Sequence, residues 1–101
     1  MNQENIRAAA ATLWRHWQQS TRLAELPAHC RPETRAEGYA IQAELARQSG
    51  QSIVGWKIAA TSKAGQQHIH VDGPIAGPLL SARGLDSGAR VSLAGNNMKV
   101  A

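Results

Sequence analysis

Phenylalanine is absent from this chain, and only four aromatic residues occur in 101: Trp14, Trp17, Tyr39 and Trp56. Alanine supplies much of the 43% hydrophobic content instead. A core built that way is thin, which favours a partner surface or a further portion of chain over a self-sufficient bead. Cysteine is nearly absent as well. Cys30 stands alone, so no disulfide within the chain can form, and a reducing cytoplasmic setting is expected. No apolar run approaches the roughly eighteen residues that a membrane span needs. The opening Met-Asn-Gln-Glu-Asn has no basic start followed by an apolar stretch, so no secretory signal is expected. Runs of one charge are missing too. The formal charge is +4 and the pI about 10.0, but Lys and Arg are scattered singly. Nucleic-acid binding needs clustered charge, so no nucleic-acid partner is expected, whereas an anionic small molecule suits the balance.

A chain of this length makes one small domain at most, and it buries only about two-thirds of the surface that its unfolded form exposes. Residues 3–19 read as an amphipathic helix, with Ile6, Ala9, Ala10, Leu13, Trp14 and Trp17 on one face at spacings of three and four. Pro27 and Pro32 break any helix between Thr21 and Arg31, where Leu23 and Leu26 can fold back onto the first helix. A second helix is expected to start near Pro32 to Thr34. Thr34 and Glu37 have capping-box spacing, and Gly50 marks the stop. Ala36, Tyr39, Ala40, Ala43 and Ala46 give it a small-residue face, widened by Ile41 and Leu45.

Ile53 to Ala59 is the first convincing strand. A short helical turn over Thr61 to Gln67, capped by Thr61 or Ser62, should follow, then a turn at Asp72-Gly73-Pro74. Gly77 and Pro78 limit Ile75 to Leu80 to an edge strand or loop. Arg90 to Ala94 and Met98 to Ala101 can pair across Gly95-Asn96-Asn97, with Val91, Leu93, Met98 and Val100 as an apolar strip.

Lys57 is the leading candidate for chemistry. Strand alternation turns it away from Trp56 and Ile58 and towards the side of Gly55 and Ala59, whose small side chains leave room for an ammonium. Such a lysine can move a proton or hold a carboxylate; a water-facing edge-strand lysine is the plainer alternative. Thr61 and Ser62 can cap a helix that receives an anion, or serve only as caps. Asp72 can act as acid or base, or simply form the turn. His68 and His70 would share a strand face, and with His29 and Cys30 would make four ligands, but the spacing shows no zinc-type pairing. Cys30 reads as an ordinary thiol, and Trp14 and Trp17 as packing residues.

At Gly55-Trp-Lys-Ile-Ala-Ala-Thr-Ser-Lys63, with Gly38-Tyr-Ala-Ile-Gln42 upstream, the chain resembles the 2-keto-4-pentenoate hydratase family of the fumarylacetoacetate hydrolase superfamily. Val71 to Leu80 and Val91 to Ala101 extend the likeness. It covers essentially everything after about Thr34, and the first helix more loosely. The resemblance implies an α+β fold in which two helices (1–50) precede a strand-rich segment (51–101) that begins the superfamily's mixed β-roll. It implies metal-dependent addition of water to a 2-hydroxy-2,4-dienoate, giving a 4-hydroxy-2-oxo acid, in the catabolism of aromatic compounds.

Lys57 matches the family's active-site lysine, and Asp72 lies in its acidic turn region. Family members are more than twice as long, and carry a Glu-x-Glu pair and a third acid that bind Mg²⁺ or Mn²⁺ beyond the strand matching Met98 to Ala101. The chain is therefore expected to be an N-terminal portion, inactive alone, without bound metal, and either homo-oligomeric or complemented by a C-terminal portion. Ile75 and Ala76 stand where many members carry a further acid. Related 2-oxo acid decarboxylases and fumarylacetoacetase-like hydrolases thus remain alternatives, as does a stand-alone partner-binding module.

Overall fold

The computed structural model describes residues 1–92. Three helices, two short 3₁₀ turns and a two-stranded antiparallel sheet make the described chain α+β. It divides into two compact units. One holds Met1–Gly50 and, among the described residues, the stretch from Leu85; the other is Gln51–Gly84.

In the first unit, α1 (Gln3–Gln19) starts at Asn2, whose side chain accepts the Asn5 N–H at 2.8 Å. The cap satisfies a backbone donor that the first helical turn leaves unpaired. The helix ends on Ser20, a non-glycine residue at φ 53°. Ser20 N–H donates to Trp17 O (3.2 Å) and Thr21 N–H to His16 O (3.0 Å), the paired bonds of a Schellman ending. A 3₁₀ turn at Ala28–Cys30 follows, then α2 (Arg35–Ser49), capped by Thr34 and closed by Gly50 at φ 67°. Thr34 Oγ1 accepts the Glu37 N–H at 3.1 Å. The Glu37 carboxylate reaches back further than a simple capping box requires, accepting the Glu33 N–H at 2.9 Å and pairing with the amino group of Met1 at 2.9 Å.

Among the described residues, the core of this unit is small. Ala9 and Ala10 on α1, Cys30 on the 3₁₀ turn and Ile41 on α2 are buried, with Ile6, Leu13, Leu26 and Leu45 packed against them. The fold-back of the connection expected from Leu26 is therefore observed. The face of α2 differs from expectation. Ile41, Glu44 and Ala46 are buried, whereas Ala36, Tyr39 and Ala43 are exposed. Alanines lie on every side of this helix, so they do not define a stripe. Burying Ile41 contributes about 1.5–3 kcal/mol, far more than an alanine methyl, and its large side chain sets the inward face.

In the second unit, β1 (Ile53–Ala59) pairs antiparallel with β2 (Ile75–Leu80). The register runs from Ile53 opposite Leu80 to Ala59 opposite Ile75, with an irregularity between Ile53 and Gly55. Between the strands lies α3 (Lys63–His68), capped by Ser62. His68 therefore ends a helix, and His70 sits at φ 59°; the two do not share a strand face. Periodicity alone misses this because the helix is too short to show a repeat. Arg90–Ser92 form no strand, and the rest of the expected C-terminal hairpin lies outside the described residues.

Candidate functional site

The site is built on the sheet of the second unit. Directly opposite residues of an antiparallel pair share a face. Lys57 faces Gly77, Gly55 faces Leu79 and Ala59 faces Ile75, so these six side-chain positions line one side. Trp56 opposite Pro78 and Ile58 opposite Ala76 line the other. Lys57 thus has a glycine and an alanine as same-strand neighbours on its face and a second glycine across from it. A Cβ added at Gly77 would meet nothing within 4 Å, which leaves the space beside the lysine stem open. Leu79 stands 3.5 Å from where a Gly55 Cβ would lie and forms an apolar flank. Lys57 is exposed, and no hydrogen bond or ion pair occupies its ammonium among the described residues.

Thr61, Ser62 and Asp72 all belong to the connection between the strands. That connection leaves and rejoins the sheet at one end, where Ala59 pairs with Ile75; Lys57 is two residues inside that end. Its backbone is held tightly at the start. Ala60 adopts φ 56°, a left-handed conformation that costs a residue with a Cβ about 1–2 kcal/mol. Gln66 Nε2 donates to Ala60 O at 3.0 Å, and Ser62 Oγ accepts the Gly65 N–H at 3.0 Å. Of the two capping candidates, Ser62 does the capping, while Thr61 is exposed immediately before it. A Cβ at Gly65 would stand 3.2 Å from Ser62 Oγ, which is why a glycine suits this turn. Val71 N–H closes the segment on Gln66 O at 2.9 Å, and Asp72 follows it on the exposed approach to β2.

Cys30 is buried, with Sγ 3.5 Å from Pro27 O, a packed thiol as expected. Trp14 and Trp17 meet edge to face, with ring centroids 5.5 Å apart, a geometry that aromatic quadrupoles favour. Among the described residues, no three His, Cys, Asp or Glu side chains gather where they could hold a metal ion. The donor set for Mg²⁺ or Mn²⁺ is therefore not met within them.

One strongly perturbed acid lies in the helical unit. Glu44 on α2 is 7% exposed. Its carboxylate accepts Arg47 Nε at 2.9 Å and Arg47 Nη2 at 2.6 Å, and Gln48 Nε2 at 3.2 Å. Gln48 Nε2 also donates to Arg7 O on α1 at 3.2 Å, so the network ties the two helices together. The Arg47 hydrogen bonds, then that of Gln48, hold the Glu44 carboxyl down to about 2. The signal available beforehand was the i, i+3 spacing of Glu44 and Arg47.

No helix among the described residues is long and apolar enough to cross a membrane. No family model, curated protein or solved structure matches this chain.

Proposed function

We propose that this chain is the N-terminal part of a cytoplasmic, metal-dependent hydratase that adds water to a 2-hydroxy-2,4-dienoate, its sheet beginning a larger β-roll. The observation that carries the reading is the setting of Lys57: an exposed side chain with no ion-pair partner among the described residues, on the sheet face between Gly55 and Ala59 and opposite Gly77. That space admits a small anionic molecule where larger side chains would fill it.

Lys57 holds the substrate's carboxylate or 2-oxygen, or moves a proton there. Thr61 and Ser62 bound the same end of the sheet and orient the substrate; Asp72, on the return to β2, is the acid–base partner. In this reading Mg²⁺ or Mn²⁺ would supply charge stabilisation at the substrate oxygens, and the carboxylates that would hold it are not among the described residues. A related decarboxylase or fumarylacetoacetase-like hydrolase would use the same lysine face. The exposed apolar residues Val54, Trp56 and Ile58 favour a second reading, a partner-binding module.

The test is an NMR titration of the chain with a short 2-oxo acid. Shifts concentrated at Lys57, Gly77 and residues 60–74, abolished in Lys57→Ala, are expected. No change at those residues up to tens of millimolar, on the order of the weakest useful small-ligand affinities, would reject the site.

A further inference from the structure

We draw no further inference here: the strongest candidate, the exposed apolar stripe of Val54, Trp56 and Ile58 along β1, is an unpartnered sheet face, and nothing in the structure shows what covers it.

Discussion

The ammonium of Lys57 and the carboxylate of Glu44 illustrate two ways in which a charged side chain is placed. Lys57 is exposed on the sheet face it shares with Gly55, Ala59 and Gly77 and is not needed to fill space. In the proposed hydratase, Lys57→Ala should lower turnover on the order of a hundredfold or more, the usual cost of a proton-transfer group. The same substitution should change stability by under about 0.5 kcal/mol, as at other surface positions. Steady-state kinetics and a thermal melt on one variant separate these effects. Unchanged turnover rejects the catalytic role, and a collapsed melting temperature makes the residue structural.

Glu44 is the opposite case, held inside its unit by Arg47 and Gln48. Its folded pKa lies below its unfolded value, at about 2 against 4.5. A depressed carboxylate contributes stability that is present above the unfolded pKa and lost as the pH falls through the folded one. Glu37, lowered chiefly by its hydrogen bond with the terminal amino group, acts in the same direction. The urea midpoint of the helical unit should therefore fall as the pH drops from about 4.5 to about 2. Glu44→Gln should flatten that slope and lower the midpoint at neutral pH. An unaltered acid profile in the variant would show that the pair contributes nothing.

At the scale of elements, the helix ends and the inward face of α1 were written locally, and the inward face of α2 was not. Thr34, Glu37 and Gly50 act within one or two turns of chain, so the span of α2 follows from neighbours in sequence. The inward face of α1 follows likewise from the spacing of Ile6, Ala9, Ala10 and Leu13. The face that α2 buries depends on what lies across from it, and a helix with alanine on all sides carries little local preference. The same reason explains Lys57. Alternation places it with Gly55 and Ala59, but its opposition to Gly77 follows from strand register, which the irregularity near Val54 and the length of the connection decide together. The short α3 hid the left-handed turn at His70 for want of a repeat.

The revised face of α2 is testable. Ile41→Ala should cost about 2–5 kcal/mol, the range for emptying a buried aliphatic site. Ala43→Gln, on the exposed side, should stay within about 0.5 kcal/mol. Chemical denaturation followed by far-UV circular dichroism measures both. A costly Ala43→Gln beside a mild Ile41→Ala would restore the alanine stripe as the packed face.

For the whole molecule, the two units have unequal means of stabilising themselves. The helical unit owns the buried cluster of Ala9, Ala10, Cys30 and Ile41, a bidentate ion pair and a side-chain bridge between its helices. In Gln51–Gly84, Leu80 alone is fully buried. Val54, Trp56 and Ile58 are at least half exposed, Trp56 at 58%. A two-stranded sheet without a covered apolar face is marginally stable in water, because the ordering entropy of its residues meets little burial in return. Local opening should therefore cost less in the sheet than in the helices, since opening free energies follow buried contact and need not equal the global value.

Native-state amide exchange followed by NMR reads this directly. Interior amides of α1 and α2, such as those of Leu13 and Leu45, should exchange slower than the ladder amides of β1 by at least about an order of magnitude. Covering the sheet should close that gap, so protection in β1 that rises with protein concentration would identify a second copy as the cover. Equal protection in both units at low concentration would mean that helices and sheet open as one cooperative body, and the division of stability argued from their cores would be wrong.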